Sequence, residues 1–357
     1  GRLPRIAASA WSYTLIRLEC SVRNASVIGV VGGGGLGAEL FEELGYGQDD
    51  RVATLLLTLL VLTAGADLTA SWTRRRLRGS SPPQARRSVA LVAGVSLGLS
   101  LLWLVPAASD VAARFAVDDQ GFAADSLRKL MQPDLRPTIL MAAFTSCAVP
   151  LAMAWLATMG SVAVALTILP WSSSYLTQRA AGLSAASTMR WVPVLVLRAT
   201  ALVSRAIPDV AWLLLFAAAL RMGHAAALVA LFLHSTGILV RVFCETVDDA
   251  GVRDRVHGPG GRAAWLAYRL QPRVRSTMVT HSVLQGEANL RAAVVLGIMG
   301  AGGLGDAFHT AVTYWRLPQV STFAITMVII FVVVDRIARW LSRWSVRRAT
   351  TANTSAT

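Results

Sequence analysis

The sequence is poor in charge and nearly devoid of lysine. Charged residues make up 15% of its 357 positions, whereas soluble domains carry about 25%. Its single lysine, Lys129, is flanked by Arg128 and Leu130. A Walker A loop requires Gly-Lys-Ser or Gly-Lys-Thr, so this sequence contains none, and ATP hydrolysis would have to belong to another chain. We therefore do not expect the chain to be an enzyme.

Cysteine is also scarce. Cys20, Cys147 and Cys244 are the three in the sequence, and they lie far apart, in or beside apolar runs. An odd number at such spacings gives neither a disulfide framework nor a zinc-ligand pattern. The histidines and acidic residues form no ligand-spaced group either. We expect no metal site and no cofactor.

Apolar residues, in contrast, are abundant. They make up 54% of the chain and the mean hydropathy is +0.53, which excludes a disordered chain and favours a polytopic membrane protein. A bilayer crossing needs about 20 apolar residues. Six runs reach that length and two shorter stretches precede them. The six runs are 88–108, 138–169, 196–220, 223–243, 279–301 and 320–342, and the earlier stretches are 24–40 and 52–71.

The net charge of +14 comes from arginines that are grouped in alternate loops. Because these loops separate membrane-length runs, the positive-inside rule explains the charge better than nucleic-acid binding does. The rule places the basic loops, and the C-terminus, in the cytoplasm. We predict an all-α, polytopic fold in the lipid bilayer and no nucleic-acid partner.

An internal repeat relates the two ends of the chain. Residues 3–77 match residues 271–345 without a gap, at a constant offset of 268 positions. The glycines agree, and so do Pro, Glu, Arg, Tyr, Asp and Trp residues around them, which indicates duplication rather than chance. The matched pairs include Pro4 with Pro272, Glu19 with Glu287, Arg23 with Arg291, Tyr46 with Tyr314, Asp67 with Asp335 and Trp72 with Trp340.

The repeat predicts the domain organisation. We expect residues 1–78 to be the C-terminal fragment of a first unit with about two membrane segments, and 79–87 to be a cytoplasmic linker. We expect 88–345 to be a complete second unit with six membrane segments, and 346–357 a polar tail. If both units are equally long, about 190 residues of the first unit would precede Gly1, and the two units would form a parallel repeat.

One motif resembles a known family. In the first copy Tyr13, Arg17, Glu19 and Arg23 follow the pattern Tyr-x3-Arg-x-Glu-x3-Arg, before an apolar run that ends in a Gly-rich segment. This pattern resembles the C-terminal signature of phosphonate ABC transporter permeases. The second copy has His281 for the Tyr and Gln285 for the first Arg, and it keeps Glu287, Arg291 and the glycines. The segments Arg205–Asp209 and Leu233–Glu245 also resemble parts of that family.

The resemblance implies a transmembrane permease subunit of a type I ABC importer in the bacterial plasma membrane. Its helical bundle would here comprise one complete six-helix unit and the C-terminal part of a preceding one. Two such units would enclose a path for phosphonate or a related phosphorus oxyanion. The implied partners are a cytoplasmic ABC ATPase dimer and an extracytoplasmic substrate-binding protein.

A cytoplasmic coupling loop toward the ATPase is also implied, and here it departs from the family pattern. The family carries a Glu-Ala-x3-Ala-x-Gly sequence before Leu-Pro, and no Glu-Ala pair is recognisable between 244 and 272. Candidate coupling residues are Glu245, Arg253, Asp254, Arg255, Gly258, Gly261 and Pro272.

Charged residues at membrane depth are the candidate path residues. Because such charges are costly, they face partners or a water-filled cavity. Arg17, Arg23 and Arg291 suit phosphonate oxygens. Glu19 with Arg23, and Glu287 with Arg291, are spaced to pair along a helix, so these groups either line the path or lock helices. His234 either touches the solute or packs through a hydrogen bond.

The glycine segments spell a dinucleotide-binding fingerprint, but they lack the βαβ context that this fingerprint requires. We expect close helix packing or a broken helix end instead. The residues concerned are Gly32, Gly34, Gly35 and Gly37 in the first copy, and Gly300, Gly302, Gly303 and Gly305 in the second.

Three other functions stay open at this point: an ABC importer permease for another small solute, a secondary transporter that moves ions through its own Glu and Arg sites, and a non-transporting membrane scaffold. The repeat does not discriminate between the transporter types, because secondary transporters also contain repeats.

Overall fold

A computed structural model describes three long stretches of the chain, 120–181, 191–252 and 264–354. Before residue 120 it describes 35–48, most positions between 50 and 65, and a few positions between 94 and 109. Within these residues every regular element is helical, which confirms the predicted all-α fold class.

The chain divides into two compact units at Pro133 and Asp134. Described helices of the first unit are α1 (Leu36–Gly45) and α2 (Gln120–Leu130). Those of the second are α3 (Pro137–Ser146), α4 (Ala148–Ser172), α5 (Ser174–Ala181), α6 (Val192–Ala206), α7 (Asp209–Leu220), α8 (His224–Val252), π1 (Trp265–Leu270), α9 (Gln271–Leu296), π2 (Gly297–Ala301), α10 (Leu304–Thr313) and α11 (Leu317–Thr354). The predicted linker 79–87 lies outside the described residues, and the predicted domain boundaries stay a prediction.

Five of the six predicted apolar runs coincide with helices long and apolar enough to cross a membrane, if each bent pair counts as one crossing. The candidates that pass without pairing are Pro137–Gln178, His224–Gly251 and Leu317–Ser345. The bent pairs are Val192–Ala206 with Asp209–Leu220, and Arg273–Ala301 with Leu304–Thr313. Most of the remaining run, 88–108, most of the stretch 24–40 and half of the stretch 52–71 lie outside the described residues.

Both bends have a local cause. The α6–α7 pair turns by 94° at Pro208, which lacks an N–H and disfavours helical geometry in the residue before it. Ile207 is accordingly extended, with ψ 124°. The pair formed by α9 and α10 turns by 51° where Gly300, Gly302 and Gly303 adopt φ angles of 99°, 83° and 78°.

Two apolar clusters hold the second unit together. In the first, Leu169, Leu176, Phe243 and Leu270 are buried where α4, α5, α8 and π1 meet, and Val274 of α9 joins them. The second unites α3, α10 and α11 through Ala143, Leu304, Ala311, Val320 and Phe323. Large apolar side chains on α11 instead point outward, among them Val328, Ile329 and Val332, each at least half exposed, as a lipid-facing surface requires.

The segment before α3 is tied to the start of α11. The Asp134 backbone N–H donates to the Pro318 carbonyl over 3.1 Å, and the Thr322 hydroxyl donates to the Asp134 carbonyl over 2.9 Å. The Asp134 side chain pairs with Arg136 at 2.5 Å. The hydrogen bonds of that guanidinium lower the pKa of Asp134 to about 2, and the carboxylate raises the pKa of Arg136.

The backbone of α1 and its flanks recurs in α10 at the sequence offset of 268. Helix α1 has the bounds that the offset predicts from α10, and Gly35 and Gly303 precede them with φ angles of 75° and 78°. The turns after the helices share their hydrogen bonds. Tyr46 N–H donates to Glu42 O and Tyr314 N–H to Thr310 O, both over 3.1 Å, while Gln48 N–H donates to Glu43 O over 3.1 Å and Arg316 N–H to Ala311 O over 2.9 Å.

Candidate functional site

A buried network of neutral polar side chains joins α4, α8 and α9. Ser235 donates its hydroxyl to Asn289 Oδ1 over 2.6 Å, and Asn289 Nδ2 donates to Thr158 Oγ1 over 2.9 Å. Gln285 Nε2 donates to Ser235 Oγ over 3.2 Å and to Asn289 Oδ1 over 3.0 Å. Ser235, Asn289 and Thr158 are at most 3% exposed. Polar groups buried inside a membrane helix bundle require such partners. The network therefore fixes three helices against each other.

None of the four residues in this network was predicted from the sequence as a site residue. Gln285 and Asn289 stand four positions apart, on one face of α9, and that spacing is a signal in the sequence. Ser235 and Thr158 lie on two other helices, so their convergence depends on helix rotation that no local pattern encodes. Gln285 occupies the position of Arg17 in the repeat, and its side chain turns into the bundle.

A second polar contact lies beside the network, on α4 and α8. Thr236 donates to Ser161 Oγ over 3.1 Å, and Ser161 donates to the Phe232 carbonyl over 2.9 Å. Gly160 makes room for the Phe232 ring, because a Cβ there would lie 3.2 Å from it. Small residues therefore allow α4 and α8 to approach closely.

Glu287 and Arg291 are on a different face of α9. Their side chains form an ion pair across one helical turn, as their spacing allows. The Arg291 side chain is 57% exposed and that of Glu287 is 12% exposed. Leu284 and Ala288 on the same face are exposed too. Arg291 therefore points away from the unit, whereas Asn289 points into it.

His234 of α8 packs against the bend between α6 and α7. Its Nδ1 is 3.1 Å from the carbonyl oxygen of Ile207, and the residue is 9% exposed. The two predicted roles of His234, contact with the solute and packing through a hydrogen bond, stay predictions. One helix turn away, a Cβ on Gly237 would lie 2.7 Å from the Ala201 carbonyl, so α6 and α8 are in direct backbone contact here.

The second glycine segment builds the broken helix end that the sequence predicts. Gly303 abuts the start of α4, since an added Cβ would lie 2.9 Å from both Pro150 Cδ and Val149 Cβ. A Cβ on Gly302 would lie 2.7 Å from His224 Nε2. Gly305 is pressed against the Val294 carbonyl, and Gly300 faces Met222. In the first copy Gly35 keeps the left-handed conformation and Gly37 is buried.

The candidate coupling residues fall largely outside the described residues. Glu245 is exposed and accepts a hydrogen bond from Arg241 over 2.8 Å, and Pro272 lies in the first turn of α9, which begins at Gln271 directly after π1. The sequence-predicted residues that lie outside are Arg17, Glu19, Arg23, Gly32, Gly34, Arg253, Asp254, Arg255, Gly258 and Gly261. In the part of the chain that the structure describes, no three His, Cys, Asp or Glu side chains converge on a possible metal site.

No family model matches the chain, but curated proteins do. It is 27% identical over 349 residues to the phosphate-import permease protein PhnE of Mycolicibacterium smegmatis, which covers 95% of this chain and 62% of that protein. A permease protein named for a cryptic phosphonate transport system of Escherichia coli, PhnE2, is 25% identical over 119 residues, 32% of this chain and 98% of that protein. The phosphite transport system permease protein PtxC of Stutzerimonas stutzeri is 26% identical over 134 residues, 37% of this chain and 49% of that protein.

Among solved structures, a chain of the MetNI methionine ABC transporter in an inward-facing conformation matches with 15% identity and a TM-score of 0.48. The match covers 59% of this chain and 99% of that one. The chain spans 62% of the length of the first relative. The predicted resemblance is confirmed: this chain is similar over nearly its whole length to a phosphate-import permease, and over smaller parts to phosphonate and phosphite permeases.

Proposed function

We propose that the chain is part of the transmembrane permease of an ABC importer for phosphonate or a related phosphorus oxyanion. The named solutes of its relatives are phosphate, phosphonate and phosphite. All three present tetrahedral phosphorus with anionic oxygens, so the shared chemistry is more informative than any one name. A separate ATPase dimer would supply the energy, and an extracytoplasmic binding protein would deliver the solute.

The position of the Glu287–Arg291 pair supports the proposal that α9 lines the path of the solute. The Glu287–Arg291 pair lies on the outer face of α9, and Arg291 is ten residues from Ala301, where the predicted apolar run 279–301 ends before the bend. Ten residues correspond to about 15 Å of helix, close to the middle of a bilayer. A charged pair on a lipid-facing surface at this depth is costly, so the face is expected to meet water or a second permease unit. The partly exposed guanidinium of Arg291 suits oxyanions.

The proposed orientation follows from charge. The loops between α5 and α6 and between α8 and α9 join helices on the arginine-rich side, which we assign to the cytoplasm together with the C-terminus. We assign the turn between α10 and α11 to the extracytoplasmic side. The membrane in question would be the bacterial plasma membrane.

Uptake of radiolabelled methylphosphonate under phosphorus starvation tests the proposal, with phosphite and phosphate as competitors. A strain that lacks the gene is expected to lose uptake, and the full-length gene to restore it. Arg291→Gln is expected to reduce uptake about tenfold or more, since a charged hydrogen-bond donor is lost. The control is Arg339→Gln, which breaks a similar i,i+4 pair with Asp335 on α11 and should leave uptake near wild type. Unchanged uptake of all three solutes in the deletion strain would remove the phosphorus assignment.

A further inference from the structure

A charged cluster joins four helices at the end of the second unit that we assign to the cytoplasm. Asp248 of α8 accepts a hydrogen bond from Arg198 Nη2 on α6 over 2.6 Å at its Oδ2. Its Oδ1 accepts from the Ser173 hydroxyl over 2.6 Å and from the Tyr175 backbone N–H over 3.1 Å. Both carboxylate oxygens are therefore engaged, and together they hold the start of α5.

Arg198 closes the cluster from the other side. Its Nε donates to the carbonyl of Ser172 over 2.8 Å, at the C-terminus of α4. The helix stops there because Ser173 is extended, with ψ 128°, so the Ser172 carbonyl lacks a partner within the helix. The Asp248 cluster, defined as Ser172, Ser173, Tyr175, Arg198 and Asp248, is the point where α4, α5, α6 and α8 are joined.

Helix α6 is attached to α8 at two further levels. Along α6, Arg198 contacts Asp248 of α8 first. Ala201 and Arg205 then contact Gly237. Ile207, at the end of α6, contacts His234. Residue numbers rise along α6 as they fall along α8, so the two helices run antiparallel. From His234 to Asp248 is 14 residues, about 21 Å of helix. The attachment therefore extends from the cytoplasmic end to the Pro208 bend.

The three levels use different physical interactions. The end at Asp248 is held by an ion pair and hydrogen bonds, which are directional and fix the rotation of one helix against the other. At Gly237 the backbones touch, since an added Cβ would lie 2.7 Å from the Ala201 carbonyl and 2.8 Å from the Arg205 nitrogen. At the bend a single ring nitrogen holds the Ile207 carbonyl. Together they restrict sliding, rotation and separation of the two helices.

We propose that α6 and α8 move as one rigid lever, and that the Asp248 cluster is the end at which the ATPase displaces it. A displacement of the cytoplasmic end of α8 would then be transmitted in full to the 94° bend at Pro208. This inference rests on the proposed function, because it needs the cytoplasmic assignment of this end and an ATPase partner. Asp248 and Arg198 act as positioning residues, because their contact holds α6 against α8.

The test uses the complete transporter, reconstituted with its ATPase and binding protein. Asp248→Asn removes the charge that holds Arg198, and the matched control Asp249→Asn removes the neighbouring, exposed charge. We expect Asp248→Asn to lower the amount of methylphosphonate imported per ATP hydrolysed about fivefold or more. A factor of about five is at the lower end of those typical for energetic coupling between two sites. Asp249→Asn should stay near the wild-type ratio. A wild-type ratio in Asp248→Asn would overturn the proposal.

A second measurement separates this inference from the proposed function and from misfolding. Spin labels at Leu195→Cys on α6 and Asp249→Cys on α8, with Cys20, Cys147 and Cys244 replaced by Ala, report the distance between the helices. A rigid lever predicts a change of less than about 2 Å between nucleotide-free and ATP-bound transporter. A larger change would contradict the lever even if no phosphorus oxyanion is transported. If Asp248→Asn fails to assemble, Ser173→Ala removes the hydroxyl that donates to Asp248 and accepts from the Leu176 N–H. It leaves the Arg198–Asp248 pair in place and should show a smaller loss of the same ratio.

Discussion

Trp315 adopts the left-handed backbone conformation that Gly47 adopts at the equivalent turn of the repeat, with φ angles of 55° and 68°. A glycine takes this conformation without steric cost, whereas a residue with a Cβ is strained by about 1–2 kcal/mol. The Trp315 side chain is 60% exposed, so burial does not offset this strain fully. The second copy therefore keeps a bulky residue where the turn favours glycine.

Replacing Trp315 by glycine is expected to stabilise the protein. The free energy of unfolding in detergent should rise by about 1 kcal/mol, since the strain is relieved. Trp315→Ala is the matched control, because it removes the same indole but keeps the Cβ, and it should give no such gain. Gly47→Ala should lower stability by a similar amount. Equal effects of Trp315→Gly and Trp315→Ala would contradict the strain argument.

Much of this turn and its helix could be predicted from sequence. The glycine pattern and the constant offset predict that Gly303 and Gly35 precede equivalent helices, because glycine marks conformations that other residues avoid. The bend at Pro208 was equally predictable from the missing N–H. The left-handed conformation of Trp315 was not, since tryptophan gives no local signal for it and only the comparison with Gly47 reveals it.

A Cβ at Gly303 is expected to disrupt the junction between π2 and α10. Gly303→Ala would be strained at φ 78° and would bring its Cβ to 2.9 Å from Pro150 and Val149 and to 3.2 Å from the Ser146 carbonyl. Strain and overpacking together should cost about 2 kcal/mol or more. Thermal unfolding in detergent measures the loss.

Gly286→Ala is the control for that loss. Gly286 lies inside α9, and its added Cβ would meet Thr158 atoms at 3.5 and 3.6 Å, which is ordinary contact. Alanine favours the helix by about 0.5–1 kcal/mol over glycine. Gly286→Ala should therefore leave stability unchanged or raise it, and a loss equal to that of Gly303→Ala would refute the distinction.

Removing the amide of Asn289 should destabilise the bundle. Asn289→Leu keeps the approximate volume but leaves the Ser235 hydroxyl without its acceptor and removes the hydrogen bonds of Asn289 with Gln285 and Thr158. Unsatisfied buried groups cost about 1–3 kcal/mol, less if the membrane-embedded unfolded state finds other partners. Chemical unfolding measures the effect. Thr167→Val serves as control, since Thr167 is exposed and bonds only within its own helix. Similar losses in both variants would argue against the network.

The roles of Asn289 and Arg291 illustrate what sequence could not provide. Both lie on α9 two positions apart, and the motif drew attention to Arg291 because it is charged. The structure shows that their side chains point to different surroundings, one into the bundle and one out of it. The Asp248 cluster could not be predicted from the sequence either. Arg198 and Asp248 are 50 positions apart, and only the antiparallel packing of α6 on α8 brings them together.

The Asp134–Arg136 pair is expected to stabilise the protein at neutral pH and to lose its effect in acid. The folded-state pKa of Asp134 is lowered from 3.8 to about 2 by the Arg136 guanidinium. Between these values the folded state binds fewer protons than the unfolded state, so stability falls as the pH falls through that window. Above about pH 4 the contribution is complete, and below about pH 2 it is absent.

A double-mutant cycle isolates this contribution from the other carboxylates that titrate in acid. Asp134→Asn, Arg136→Gln and the double variant are compared with wild type by thermal unfolding in detergent at pH 5 and pH 2. The coupling between the two residues should be favourable at pH 5 and much smaller at pH 2, where about half of the folded-state carboxylate is protonated and has lost the charge that Arg136 contacts. A coupling of equal size at both pH values would contradict this prediction, because it would mean that protonation of the Asp134 carboxylate does not weaken its contact with Arg136.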